Sequence, residues 1–324
     1  MRILVTGGSG FIGTNYVEFL LRDGKAEFIN LDSKSPRNIA HKKFWNDCDI
    51  LDASRLEEII KDFKPTHVVH LAAKTGVDEK QLSKFAANID GVENMVRILR
   101  GVLSVKRAIF TSSLLVCRMG YIPKDDADYK PTTLYGQSKV YGEQIVRSAN
   151  DLPYAWTIIR PISVWGPWAE EPYKTFFLSV AHNWYFHIGS GHYKRSMGYV
   201  ENMVHQIQQL LVAPVEKVDK KVFYLGDSPP VDLYEFANEI QMVLGVRKIG
   251  HLPLWVVKLA AKSGDVLKAM GCKKFPLTSF RLNNIRTEYV FDLQPIMDIA
   301  APLPYDFKTG IKRTIQWMRE TGEI

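Results

Sequence analysis

The chain has 324 residues, of which 46% are hydrophobic and 24% charged, a balance typical of a globular protein with one or two domains. Its formal net charge is +7, but the lysines and arginines are scattered, which argues against a nucleic-acid partner and favours small anionic ligands. No apolar stretch is long enough for membrane insertion, and Cys48, Cys117 and Cys272 show no metal-ligand spacing, so we expect a cytoplasmic protein without a metal site.

A glycine-rich turn lies near the start of the chain. An apolar run at residues 3–5 predicts a buried strand, a helical pattern covers residues 16–21, and Gly7, Gly10 and Gly13 lie between them. These glycines would allow a tight turn, a close approach of backbone to phosphate, and close packing of helix on strand. The helix N-terminus would direct unpaired N–H groups at an anion. The turn therefore predicts a bound dinucleotide rather than an ordinary glycine-rich loop.

Alternating strands and helices continue to about residue 165, which predicts a Rossmann-type, doubly wound parallel sheet. Further strands are expected near residues 28–32, 49–52, 67–73, 107–113 and 156–161. Asp32 follows the glycine turn by about 20 residues, where a carboxylate would accept ribose hydroxyls and repel a 2′-phosphate. NAD is therefore favoured over NADP despite the nearby Lys34 and Arg37, the alternative being a surface aspartate.

The pattern becomes irregular beyond residue 165, although residues 222–226 return to strand character. We predict an NAD-binding domain over residues 1–165 plus that strand, and a smaller C-terminal substrate-binding lobe from 166–221 and 227–324. The apolar run at residues 254–260 predicts either a membrane-surface helix or an ordinary helix of this lobe. Its sparse cationic face favours the ordinary helix.

Tyr135 and Lys139 are four residues apart on a predicted helix and so share one face. A tyrosine hydroxyl has a pKa of about 10, which a neighbouring ammonium would lower. Ser113, at a strand end, could hydrogen-bond the same substrate oxygen. The trio predicts proton exchange with an alcohol while a nicotinamide cofactor transfers hydride. A chance Tyr–Lys pair is the minor alternative.

Two segments carry a family resemblance. Residues 6–13 (TGGSGFIG) and 135–139 (YGQSK) resemble the extended short-chain dehydrogenase/reductase superfamily, in its NAD-dependent nucleotide-sugar epimerase/dehydratase branch. The resemblance implies NAD, a nucleotide-diphosphate sugar substrate, and a homodimer whose four-helix bundle uses the helices near residues 78–100 and 132–149.

The resemblance also implies roles for individual residues. Ser113, Tyr135 and Lys139 would be catalytic. The cofactor would contact Gly7, Gly10, Phe11, Ile12, Gly13, Asp32, Asp49, Ile50, Leu71, Ala72, Ala73, Lys74, Asn88, Tyr135, Lys139, Pro161 and Ile162. The substrate would contact Ser113, Ser163, Arg195 and Arg281, with Arg195 on the diphosphate and Arg286 as the alternative to Arg281.

Departures from the family pattern restrict the reaction. Leu114 and Leu115 stand where the dehydratases carry Asp-Glu, so dehydration is not expected, and Cys117 replaces a family tyrosine. We predict a nucleotide-sugar epimerase that transiently oxidises a sugar hydroxyl, at C4, to a ketone. A net dehydrogenase or reductase with the same residues is the alternative. A non-catalytic NAD-binding protein is a third hypothesis, which the intact Ser113, Tyr135 and Lys139 disfavour.

Overall fold

A seven-stranded parallel sheet forms the centre of the computed structural model, which describes residues 1–269 and 279–324. Its strands are β1 (Arg2–Thr6), β2 (Glu27–Asp32), β3 (Trp45–Asp47), β4 (His67–His70), β5 (Arg107–Thr111), β6 (Ala155–Pro161) and β11 (Lys221–Leu225). Their order is β11-β6-β5-β4-β1-β2-β3. The direction of winding therefore reverses between β1 and β4, where open parallel sheets bind ligands at their carboxyl edge. The predicted Rossmann-type fold is confirmed.

Helices cover both faces of this sheet. Successive residues of β1 serve opposite faces, since Ile3 and Val5 belong to one buried cluster and Leu4 to another. One face is covered by α1 (Phe11–Asp23), α6 (Val200–Val212), α7 (Val215–Val218) and α11 (Gln294–Ala300). The other is covered by α2 (Ala53–Phe63), α3 (Ala86–Arg100) and α4 (Leu134–Ser148). Both faces of the sheet are thus buried, as its continuous apolar strands require.

A separate apolar core lies beyond the carboxyl edge of the sheet. It is centred on Trp165, Tyr199 and Phe236, and is enclosed by α5 (Tyr173–Ala181), α8 (Leu233–Leu244) and α12 (Phe307–Glu320). Short strands connect this region: β7 (Val164–Trp165), β8 (His187–Ile188), β9 (Lys194–Arg195), β10 (Gly198–Tyr199), β12 (Val231–Asp232) and β13 (His251–Leu252). Two further helices, α9 (Leu254–Ala269) and α10 (Ser279–Arg286), pack on each other through Val257, Ala261 and Leu282.

The structure differs from the sequence prediction in two elements. The third strand ends at Asp47, because Asp49 and Asp52 turn the chain instead: Asp49 accepts the N–H of Leu51, and Asp52 caps α2 by accepting the N–H of Arg55. The helix expected from residue 78 begins only at residue 86, after a single 3₁₀ turn. In contrast, the strand expected at residues 222–226 is present as the edge strand β11. Among the described residues, no helix has both the length and the apolarity needed to cross a bilayer.

Candidate active site

The glycine turn after β1 is packed tightly against the end of β4. Gly7 has a φ of +73°, in the left-handed region, and a Cβ on it would lie 2.5 Å from the backbone nitrogen of Ala72. A Cβ on Gly13 would overlap the carbonyl oxygen of Gly7. At the start of α1, Gly10 provides no capping side chain, so the N–H groups of the first turn are left for another acceptor. This geometry fits a dinucleotide pyrophosphate.

Asp32 is anchored to the same turn. Its carboxylate accepts the backbone N–H of Ser9 at 3.0 Å and that of Lys34 at 2.9 Å. A carboxylate has about four acceptor positions, so it can also accept ribose hydroxyls. Arg37 donates to the Ser9 carbonyl at 3.1 Å and pairs with Glu170 at 2.7 Å. Because the charge of Arg37 is already compensated, the environment of Asp32 favours an unphosphorylated ribose, as in NAD.

The other candidate cofactor residues follow the carboxyl ends of neighbouring strands. Residues 71–74 follow β4, and the amide of Asn88 holds this loop through both backbone groups of Lys74, at 2.8 and 2.9 Å. Asn88 also donates to the Ser138 hydroxyl at 2.8 Å, so it connects this loop to α4. Asp49 is exposed, while Ile50 is buried against Gly91. Pro161 ends β6, and the side chain of Ile162 is fully buried.

Ser113, Tyr135 and Lys139 come together beyond the end of β5. The Ser113 hydroxyl accepts the N–H of Leu115 at 3.1 Å and lies near enough to the Tyr135 phenol to lower its pKa. The buried Lys139 ammonium donates to the Thr111 carbonyl at 2.9 Å. Glycine is required at position 136, since a Cβ there would overlap the Leu115 carbonyl oxygen. That close approach brings Tyr135 to Ser113.

Burial controls the titration of these groups. It raises the pKa of Tyr135 above its ordinary value, and the neighbouring Ser113 hydroxyl opposes this effect. Burial also lowers the pKa of Lys139 to about 8, while the nearby Glu143 carboxylate acts in the opposite direction. The expected lowering of the Tyr135 pKa by Lys139 is therefore not the dominant effect in this structure. The ammonium is directed at Thr111, and desolvation outweighs its charge.

His70 lies at the end of β4, close to this group. Its Nδ1 is 2.7 Å from the Thr6 hydroxyl, and burial lowers its pKa to about 3. The Thr6 hydroxyl also accepts the N–H of Ala72 at 3.3 Å. A neutral, packed imidazole of this kind connects the glycine turn to the loop after β4 and is a poor general base.

The sequence model of the NAD-dependent epimerase/dehydratase family matches residues 3–226, more than half of the chain. The chain belongs to this family. It is an enzyme, and its cofactor is NAD, which the glycine turn and Asp32 fit.

Full-length relatives support this assignment. The chain is 27% identical over 322 residues to N-acetyl-α-D-glucosaminyl-diphospho-ditrans,octacis-undecaprenol 4-epimerase of Escherichia coli O157:H7, covering 97% of this chain and 94% of the relative. It is 24% identical to UDP-glucuronate 4-epimerase 2 of Arabidopsis thaliana, covering 97% and 75%. The crystal structure of UDP-glucuronic acid 4-epimerase from Bacillus cereus, in complex with UDP-glucuronic acid and NAD, superimposes with a TM-score of 0.76 at 17% identity, covering 99% and 100%.

An unpredicted tyrosine connects two of the residues that were predicted to contact the substrate. The hydroxyls of Ser163 and Tyr289 are 2.7 Å apart, and the guanidinium of Arg195 lies 5.0 Å from the centre of the Tyr289 ring. Tyr173 is half-buried, and its hydroxyl lies close enough to Ser163 and Tyr289 for both to affect its pKa. No local pattern indicates this cluster, because Ser163 and Tyr289 are 126 residues apart in sequence.

Both candidate arginines belong to α10, but only one of their side chains is described by the structure. The side chain of Arg281 lies outside the described part of the chain. Arg286, at the end of the same helix, has a buried Nε without a hydrogen-bond partner among the described residues. A buried guanidinium nitrogen is costly when unsatisfied, so this atom is a candidate donor to a bound anion.

A buried ion pair that the sequence did not predict supports the catalytic helix. Glu143 lies one turn after Lys139 on α4, and its carboxylate accepts two hydrogen bonds from Arg160, both at 2.8 Å. The side chains of both partners are 1% exposed, so the pair depends on its additional hydrogen bonds, including 2.9 Å from the Tyr129 hydroxyl to Glu143. This pair fixes α4 against β6.

The segment after Ser113 contains no additional acid or base. Leu114 is buried in the main core and Leu115 packs against it. The Cys117 thiol is buried, donates to the Asp128 carbonyl at 3.3 Å, and has its pKa raised by burial. It is therefore poorly suited to act as a base.

Proposed function

We propose that this enzyme is a 4-epimerase for a sugar carried on a diphosphate, with a nucleotide-diphosphate sugar as the substrate. One observation carries the proposal: Tyr135 lies close to Ser113 and one helical turn before the buried Lys139, and leucines follow Ser113 at the two positions where an elimination would need acids. Oxidation followed by reduction at a single carbon requires no further acid or base. This set of residues therefore suits epimerisation better than dehydration.

In this mechanism Tyr135 takes the proton of the sugar hydroxyl and later returns it to the same oxygen. Ser113 hydrogen-bonds that oxygen and orients it. Ser113 lowers the pKa of Tyr135 against the raising effect of burial, and an ammonium on Lys139 would favour the phenolate further if it turned from Thr111 toward Tyr135. Bound NAD supplies a hydride acceptor and afterwards a hydride donor. Rotation of the keto sugar between the two transfers inverts the carbon.

We assign the diphosphate to Arg195 and to Arg286, the alternative to Arg281, whose side chain lies outside the described part of the chain. Two guanidinium groups suit the bidentate recognition of phosphate oxygens, and both residues adjoin Tyr289 in sequence or in space. Ser163, with Tyr289 and Tyr173, supplies hydroxyls for the sugar or its carrier. A polyprenyl-diphosphate sugar is a second candidate substrate, because the relative from E. coli O157:H7, matched over nearly its full length, acts on such a molecule.

A substrate panel tests the proposal. The purified enzyme would be incubated with UDP-, GDP- and polyprenyl-diphosphate sugars, and the products analysed by chromatography together with NADH absorbance. We expect a C4 epimer without net NADH. Stoichiometric NADH would establish the dehydrogenase alternative. A panel left unchanged by both the wild type and Tyr135→Phe would favour the non-catalytic hypothesis.

We also propose that the enzyme is a homodimer in which α3 and α4 of each subunit form a four-helix bundle. The two helices pack side by side, and Tyr141 of α4 is 38% exposed on their outer surface. Light scattering after size-exclusion chromatography should give twice the chain mass for the wild type and a monomer for Tyr141→Glu. A monomeric wild type would refute the bundle.

We also propose a cellular location for the enzyme and a division of its chain into two units. A reducing, cytoplasmic location is supported by the free, buried thiols of Cys48 and Cys117. The division into residues 1–165 with 222–226, and 166–221 with 227–324, is supported by the separate cluster around Trp165. Limited proteolysis between these units would test the division.

A further inference from the structure

The helix α9 has one buried face and one exposed apolar face. Val257, Ala261 and Gly264 are buried toward the rest of the lobe. On the opposite side, Trp255 is 67% exposed, and Leu259 and Val266 are each 59% exposed. Their spacing of four and seven residues places these three side chains on one face. Large apolar side chains grouped in this way normally mark an interaction surface.

Basic residues accompany this exposed face. Lys258 and Lys262 of α9 are exposed beside Trp255 and Leu259, and Arg247 and Lys248 are exposed on the segment that leads into β13. Residues 247–269 contain five basic residues and one acidic residue, Asp265. The Asp265 carboxylate accepts the backbone N–H of Ser279 at 3.1 Å. The surface is thus both apolar and positively charged. This combination is complementary to an anionic lipid bilayer, whereas an acidic soluble ligand would use only the charge.

A second pair of exposed aromatics adjoins α9. Trp184 is 73% exposed and Phe186 is 43% exposed, immediately before β8, which pairs with β13. The Phe186 ring lies against Gly250, one residue before β13, and α9 begins two residues after that strand. Tryptophan is favoured at membrane interfaces because its ring is apolar and its N–H is polar.

We propose that this surface, formed by α9 with Trp184 and Phe186, docks on an anionic membrane without crossing it. The sequence analysis favoured an ordinary lobe helix because α9 itself has few cationic residues. The basic residues before β13 add positive charge to the same surface, and this favours docking on a membrane instead. The surface is connected through α10 to the cluster of Ser163, Tyr289 and Arg195. Leu282 of α10 packs on α9, and α10 ends three residues before Tyr289. Docking would thus bring a diphosphate held by Arg195 to the lipid surface, a consequence that rests on the proposed function.

Vesicle flotation tests the docking without any substrate. The wild type should float with vesicles of phosphatidylglycerol and phosphatidylcholine, and about ten-fold less with phosphatidylcholine alone. Trp255→Ser with Leu259→Ser should lower the affinity for the anionic vesicles by about ten-fold or more. Lys258→Glu with Lys262→Glu should abolish the preference for anionic lipid. Leu103→Ser and Ile122→Ser alter side chains that are 90% and 81% exposed elsewhere, and should have no effect.

Thermal melting and turnover of a soluble nucleotide sugar would verify that each variant is folded, and would report separately on the proposed function. Docking is refuted if the wild type fails to float with anionic vesicles, or if the Trp255 and Leu259 double variant floats equally well. A loss of binding in the Leu103→Ser control would refute the assignment to α9. A change from a larger oligomer to a smaller one in Leu259→Ser alone would assign this face to a second copy of the chain instead.

Discussion

Tyr135 is the residue on which the proposed chemistry depends. Replacing it by phenylalanine removes the only group assigned to exchange a proton with the sugar hydroxyl, while the aromatic ring is retained. We expect turnover to fall by about 10²–10⁴-fold, the usual contribution of a general acid–base group. Affinity for NAD, measured by calorimetry, should change little. Turnover within a factor of two of the wild type would exclude Tyr135 from the proton transfer.

The buried, charged side chain of Lys139 should lower the free energy of unfolding at neutral pH. Its pKa is lowered from 10.5 to about 8 by burial, which corresponds to a cost of about 3 kcal/mol, because each pKa unit is about 1.4 kcal/mol. Lys139→Met removes this cost but also loses the hydrogen bond to Thr111, worth about 1 kcal/mol. We therefore expect the inactive variant to be about 2 kcal/mol more stable at pH 7 in urea unfolding.

The destabilising effect of Lys139 on the free energy of unfolding should depend on pH. The folded-state pKa lies below that of the unfolded chain, so the cost is complete below about pH 8 and disappears as the pH rises from about 8 to 10.5. The advantage of Lys139→Met should disappear over the same range. Lys25→Met, at a side chain that is 79% exposed, serves as the control and should change stability little. A variant less stable than the wild type at pH 7 would contradict this account.

The sequence was sufficient to select the candidate catalytic residues, but it did not predict how buried they are or which residues surround them. The spacing of Tyr135 and Lys139 depends only on helix geometry, so it could be interpreted without a structure. The direction of the Tyr135 pKa could not, because burial depends on contacts with distant parts of the chain. For the same reason Tyr289 was missed: its contact with Ser163 spans 126 residues.

At the level of elements, α4 depends on the pair between Glu143 and Arg160. Glu143→Gln leaves the Arg160 guanidinium buried without its counter-charge, which should destabilise the protein by about 3 kcal/mol. Chemical unfolding would measure this loss. The matched control is Glu57→Gln, which breaks the exposed pair with Lys61 and should cost less than about 0.5 kcal/mol. Equal losses in the two variants would show that burial of the pair does not determine its contribution.

The elements themselves were predictable to different degrees. β1, β4 and β6 are buried, and each has an apolar segment at its centre in the sequence, at residues 3–5, 68–69 and 158–159. The third strand was misplaced because residues 49–52 place two apolar side chains between two aspartates, a pattern that the turn before a helix shares with a strand end. The choice between them depends on the hydrogen bond from Arg55 to Asp52, which only the structure shows.

For the molecule as a whole, NAD should stabilise the fold and NADP should do so less. A ligand that binds only the folded state raises stability by about 2.7 kcal/mol at 100 times its dissociation constant. The Asp32 carboxylate would repel a 2′-phosphate, and Arg37 is paired with Glu170 and does not offset that repulsion. Thermal shift assays should show a larger effect of NAD at equal concentration, and Asp32→Asn should reduce the difference. A larger shift with NADP would overturn the cofactor assignment.

The most direct test of the epimerase proposal follows the hydrogen on C4. A diphosphate sugar carrying deuterium at C4 would be incubated with the enzyme in ordinary water, and the epimer analysed by mass spectrometry and NMR. We predict that the product retains deuterium at C4 and that no NADH accumulates, because the hydride leaves and returns within one site. Replacement of the deuterium by solvent hydrogen, or oxidised sugar formed with stoichiometric NADH, would contradict the proposal.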